Sequence, residues 1–145
     1  MKNLNFSIQI NAPKEKVWET LWNDATYREW THVFSPGSHA VTDWQEGSKV
    51  QFLGGEGNSG MYSQIHKMVP NQVMEIKHIG EVKDGVEQPA DPETSWYGAM
   101  ENYYLTEGNG QTELKVTLDT EESHTDYFQE AFPKALAIVK EIAER

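Results

Sequence analysis

The chain has 145 residues, no cysteine and a formal net charge of -11. That length predicts one domain over residues 1–145 with room for a core that needs no staples, and the missing cysteine excludes disulfides and thiolate metal sites. Twelve basic residues scattered among twenty-three acids form no basic run, which disfavours nucleic acid and anionic membrane surfaces as partners.

From the start, Leu4, Phe6, Ile8 and Ile10 alternate with Asn5, Ser7 and Gln9, which predicts a strand over Asn3 to Asn11 with one buried face. No apolar run of signal-peptide or membrane-span length is present, so a cytoplasmic protein is expected. Ala12-Pro13 ends the strand, and Val17, Trp18, Leu21 and Trp22 come next on one helical face. Asn23-Asp24 stops that helix and caps a second short one carrying Tyr27 and Trp30.

Strand signals then dominate: Ala40 to Trp44, Ser48 to Leu53, Met61 to Met68 and Gln72 to Ile79, with turns at Gln45-Glu46-Gly47 and Pro70-Asn71. Glu81 to Ser95 holds Gly85, two prolines and five acids, and reads as a long excursion or lid. Trp96 to Glu107 and Gln111 to Thr120 predict a last hairpin around Gly108-Asn109-Gly110. Asp126 to Arg145 is the one long helical pattern, with Phe128, Phe132, Leu136, Val139, Ile142 and Ala143 in one stripe and a kink expected at Pro133. Strand, two helices, about six antiparallel strands and a long helix make an α+β plan, in which that last helix covers the apolar face of the sheet.

Ile10-Asn11-Ala12-Pro13 leads into Val17-Trp18, and Trp30 closes the short second helix. Gly47 precedes Val50 and Phe52, and Gly110-Gln111-Thr112 precedes Leu114-Lys115-Val116 and the Pro133-containing helix. This succession resembles the START-like helix-grip (SRPBCC) superfamily, and within it the branch of activators of the heat-shock-protein-90 ATPase. The resemblance spans essentially the whole chain and is carried by the order of motifs. It implies a curved antiparallel β-sheet of about six or seven strands wrapped around the long C-terminal helix, with two short helices after the first strand. It also implies a hydrophobic cavity between sheet and helix. Superfamily members use such a cavity for lipids, sterols, polyketides and other apolar molecules; a few are cyclases, dehydratases or hydrolases, and others bind proteins.

Gly55-Glu56-Gly57-Asn58-Ser59-Gly60 matches a dinucleotide fingerprint, but the next residues, Met61-Tyr62-Ser63-Gln64-Ile65, read as a strand where that mechanism needs a helix N-terminus. A flexible hairpin turn is expected there. None of the five histidines stands at i, i+4 from another, and no carboxylate pattern joins them, so neither a metal nor any other cofactor is expected. No nucleophile constellation stands out either.

The side chains expected to line the cavity come from several elements. His66 shares a predicted strand face with Tyr62, and His78 shares one with Met74 and Ile76. Trp96, Tyr104, Phe128 and Phe132 come from the last hairpin and the helix, with Trp30 and Leu136 completing the set. Alternation leaves open which of Tyr103 and Tyr104 faces inward, since both registers contain apolar residues. The expected role is non-catalytic binding of a small, mainly hydrophobic molecule: a lipid, sterol, polyketide or aromatic. Two alternatives stand beside it: a protein-interaction module of the chaperone-activator type, and a cyclase- or hydrolase-like enzyme using His66, His78 or Tyr62 as acid or base.

Overall fold

The computed structural model describes residues 1–55 and 57–145; Glu56, inside the glycine-rich stretch, lies outside the described residues. The chain opens with β1 (Lys2–Ile10), α1 (Lys14–Trp22) and α2 (Asp24–Thr31). Five strands come next: β2 (His39–Val41), β3 (Lys49–Gly54), β4 (Ser59–Val69), β5 (Val73–Lys83) and β6 (Val86–Glu87). The hairpin of β7 (Met100–Gly108) and β8 (Gln111–Thr120) leads through a 3-10 turn at Glu122–His124 into α3 (Thr125–Ala143). The sheet is antiparallel with strand order β1-β8-β7-β5-β4-β3-β2, and β6 pairs with β5. This is an α+β helix-grip fold.

The local chemistry explains the elements. β1 pairs with β8 without interruption from Lys2 opposite Thr120 to Ile10 opposite Thr112, so the alternation in both strands places Leu4, Ile10, Leu114, Val116 and Leu118 in one core. Pro13 caps α1, its carbonyl accepting from Lys16 and Val17, and the Asn23 side chain caps α2 by accepting from Ala25 N at 3.1 Å. The Trp30 indole donates to Leu21 O at 3.1 Å, which fixes the corner between the two helices.

Helix α3 packs on β1, α1 and α2. Its buried residues are Ala131, Phe132, Ala135, Leu136, Val139, Ile142 and Ala143: the expected stripe gains Ala131 and Ala135, and Phe128 at its start is only partly buried. Pro133 sits within the helix on its exposed side, and the helix continues on both sides of it. Two irregularities interrupt the register of β4 with β5, between Tyr62 and Ser63 and between Ile65 and Lys67. Such bulges bend a strand and re-aim side chains.

Three segments differ from expectation. The strand expected over Ala40 to Trp44 is shorter, since β2 ends at Val41 and Trp44 takes a positive φ of 59°. Glu81 to Ser95 is not one excursion: β5 runs on to Lys83 and returns as β6 around Asp84 and Gly85, both at positive φ (51° and 79°) as a tight two-residue turn requires. Trp96 to Ala99 is not strand. Gly98 at φ 78° turns the chain there, and β7 begins at Met100. No described helix is long and apolar enough to cross a membrane.

Candidate functional site

Where α2 and the first half of α3 cross the inner face of β3, β4, β5 and β7, the core opens into two adjoining cavities of about 260 and 470 Å3. They share Met61, His78, Glu101, Tyr127 and Phe128. The first is walled by Trp30, Phe34, Phe52 and Phe132. The second carries Trp96 and Leu118, with Glu81, Asp119 and Glu121 among its polar groups. Rings pack against rings on the first wall: Phe34 stands edge-on to Phe132 at 4.9 Å, and Phe132 stacks on Phe6 at 5.0 Å. Two contacts draw the rim together, Tyr127 donating to Phe34 O at 2.8 Å and Ser95 to Glu121 Oε2 at 2.6 Å.

The floor is polar. Ser63 Oγ lies 2.6 Å from His78 Nδ1, and His78 Nε2 lies 3.0 Å from Glu101 Oε1. The Tyr103 hydroxyl donates to the other oxygen of Glu101. Burial by itself would push the Glu101 carboxyl up, but its bond to His78, the charge of that ring and the Tyr103 hydroxyl outweigh burial and hold it below its usual value. Tyr103 and Tyr27 are both pushed well above the normal phenol range, first by burial and then by the charge of Glu101. The arrangement keeps an anion ready inside an aromatic cavity and both tyrosines protonated.

Serine, histidine and acid in a row invite comparison with a nucleophilic triad, but Ser63 is 0 % exposed and lines neither cavity. Its hydroxyl has no access to a substrate, so it can orient His78 and cannot attack. Among the described residues, no three His, Asp or Glu side chains are placed to hold a metal ion.

The residues expected from sequence divide sharply. Trp30, His78, Phe128 and Phe132 line the first cavity, and Trp96 lines the second. The other six lie elsewhere. Met74, Ile76 and Leu136 are buried at 0 %, 0 % and 2 % exposure inside the solid core and line no cavity. Tyr62 points outward because the inner face of β4 is taken by Met61, Ser63 and Ile65 and neighbouring strand residues alternate; its hydroxyl donates to Gln88 O at 2.7 Å. Its ring lies over Gly80 so closely that a Cβ there would meet it at 2.4 Å. His66 is exposed, one residue past the inward Ile65. Tyr104 is also on the outer face, donating to Glu75 Oε2 at 2.8 Å, and Tyr103 is the inward ring at 1 % exposure. Of the three side chains an acid-base reading needs, only His78 therefore reaches the cavity.

Sequence reasoning missed Tyr27, Phe34, Phe52, Glu101 and Tyr127 on these walls and left Tyr103 open against Tyr104. One signal was available: Glu101, Tyr103 and Leu105 share a parity, and choosing the register that buries Leu105 brings the acid and the phenol inward with it.

The family model described as "Activator of Hsp90 ATPase homolog 1-like protein" matches residues 11–144. Among solved structures, the Aha1 dimer from Colwellia psychrerythraea is 21% identical, with 99% of this chain and 97% of that one covered and a TM-score of 0.69. ChR145 from Cytophaga hutchinsonii is 24% identical, with coverage of 99% and 94% and a TM-score of 0.72. CalU16 from Micromonospora echinospora is 17% identical, with coverage of 97% and 75% and a TM-score of 0.67. A search of curated proteins finds no match. At these identities the solved structures speak for the fold, while the family model covers nearly every residue that builds it: the chain belongs to the Activator of Hsp90 ATPase homolog 1-like protein family.

Proposed function

We propose that this chain binds one small, mainly apolar molecule between the sheet and the first half of α3, without transforming it. The observation that carries this reading is the pair of adjoining cavities, walled by aromatic rings and floored by the chain from His78 through Glu101 to Tyr103. Aromatic walls with a few convergent polar groups are the usual make-up of a small-molecule site. The ring walls take the hydrocarbon part of a lipid, sterol, polyketide or aromatic compound, and the floor orients its polar end. The binder acts as one domain in the cytoplasm, a compartment with which a chain lacking cysteine is compatible.

The test uses N-phenyl-1-naphthylamine, an uncharged dye that brightens in apolar surroundings. A saturable rise at one dye per chain is expected, and Met61→Trp, which fills the wall common to both cavities, should abolish it. No rise, or a rise unaffected by Met61→Trp, would end the reading.

The family description favours a second reading, a protein-interaction module of the chaperone-activator type. It expects the chain to stimulate the ATPase of the Hsp90 from its own source, and an ATPase rate unchanged at saturating chain concentration rejects it.

A further inference from the structure

Among the described polar groups lining the first cavity, two hydroxyls have no partner, those of Ser38 and Tyr27, and Tyr27 is the buried one. Tyr27 is 7 % exposed and lines that cavity, its ring edge-on to Trp30 at 5.4 Å. Burial and the charge of Glu101 act on its hydroxyl, and no hydrogen bond does. Its neighbours are engaged: both ring nitrogens of His78 have partners, and the Tyr103 hydroxyl is given to Glu101. Glu101 accepts one hydrogen bond at each oxygen, yet a carboxylate has about four acceptor positions, so acceptor capacity remains on a side chain that is still 22% exposed. The lining of the first cavity thus carries a free buried donor and a partly free anionic acceptor.

The surrounding charge narrows what can sit there. Among the described residues no Lys or Arg lines either cavity, and the second adds Glu81, Asp119 and Glu121 to Glu101. A carboxylate ligand would meet an excess of like charge, since His78 is already paired with Glu101 and His124 lines only the second cavity. A pure hydrocarbon would cover the Tyr27 hydroxyl and leave it unpaired, at the cost of a desolvated donor. An ammonium could pair with Glu101 but offers nothing for Tyr27 to donate to. A neutral hydroxyl satisfies both groups at once, its oxygen accepting from Tyr27 and its hydrogen going to Glu101.

We infer that the ligand class is an uncharged apolar molecule carrying a hydroxyl group, a phenol or an alcohol, bound with that hydroxyl between Tyr27 and Glu101. The inference rests on the cavity-binding reading above and adds the polar specificity to it.

Four probes of one shape separate the two levels: naphthalene, 2-naphthol, 2-naphthoate and 2-naphthylmethylammonium, each competed against the dye at neutral pH. The expected order places 2-naphthol about tenfold ahead of naphthalene, the scale of a hydrogen bond to a charged group, with 2-naphthoate weakest. Tyr27→Phe keeps the ring and should lower the naphthol-to-naphthalene ratio several-fold, the bond to Glu101 remaining. Glu101→Gln should lift the exclusion of 2-naphthoate. Equal affinity of naphthol and naphthalene, or tighter binding of the carboxylate or the ammonium, overturns the hydroxyl inference while leaving the cavity reading in place. Failure of all four probes to displace the dye overturns both.

Discussion

The two halves of α3 belong to one continuous helix with one apolar stripe, yet they meet different surroundings. In the second half, Leu136, Val139, Ile142 and Ala143 are each at most 4 % exposed. Polar ties lock the end of that half: Lys140 Nζ donates to Gln9 O at 3.1 Å, and Asn11 N donates to Glu144 Oε2 at 2.8 Å. In the first half, Phe128 is only partly buried, Tyr127 is 47 % exposed, and both line the cavities. The periodicity of a helix reports which face is apolar. Whether that face meets a filled surface or an open one depends on the opposite element, and here the sheet changes beneath the helix from aliphatic residues of β1 and β8 to the His78 and Glu101 floor.

The largest effect expected from this contrast is at Leu136. Leu136→Ala should lower unfolding free energy by about 2–5 kcal/mol, because a residue at 2 % exposure in close-packed surroundings leaves a gap that its neighbours only partly close. Urea denaturation measures it. A loss within about 0.5 kcal/mol would mean that the second half is as loosely packed as the first, and the comparison would fail.

Next in size is the floor. His78→Leu removes the shared partner of Ser63 Oγ and Glu101 Oε1 and should cost about 1–3 kcal/mol for the polar groups left unpaired. The same network gives a signed pH dependence. The Glu101 carboxyl is held below its usual 4.5 in the folded chain, so the stability it contributes is fully present above 4.5 and is lost as pH falls through the lower folded value. Denaturant midpoints measured through that acid range should drop more steeply for the natural chain than for Glu101→Gln. Equal slopes would mean that the carboxyl gains nothing from His78 and Tyr103 on folding.

The fold is more legible in the residues than the site, and for a physical reason. Alternation in β1 and β8 and the stripe of α3 are local patterns that burial of a whole face imposes, so they survive reading without partners. The site instead depends on register across strands. Ser63 stands opposite His78 because an irregularity between Tyr62 and Ser63 shifts the pairing by one residue, and no local pattern marks that shift. Tyr62 and His66 do share a face, as alternation requires, but it is the outer one, because Met61, Ser63 and Ile65 take the inner face and the pattern of β4 does not mark which parity is buried. Apart from its parity with Leu105, Glu101 carries no mark in the sequence, because an acid on a strand reads as a solvent-facing residue until its histidine and tyrosine partners are known. Trp96 lines the second cavity from a turn rather than the predicted strand, for a reason that the pattern does not contain.

The smallest stability effect and the largest functional contrast should fall on one residue of the open half. Phe128 is partly buried, tilted against Phe132 at 5.9 Å and Phe34 at 6.4 Å, and it lines both cavities. Because one side of its ring already faces empty space, Phe128→Ala removes fewer contacts than a deletion in filled core and should cost about 1 kcal/mol or less, well under the usual range for a buried phenylalanine. The same change removes an aromatic wall from both cavities and should weaken binding of N-phenyl-1-naphthylamine several-fold. Leu136→Ala reverses the pattern, with stability lost and dye affinity kept at temperatures where the variant is folded. Measuring both quantities on both variants tests the division directly: equal stability losses, or equal losses of dye affinity, would show that the two halves of the helix share one kind of packing.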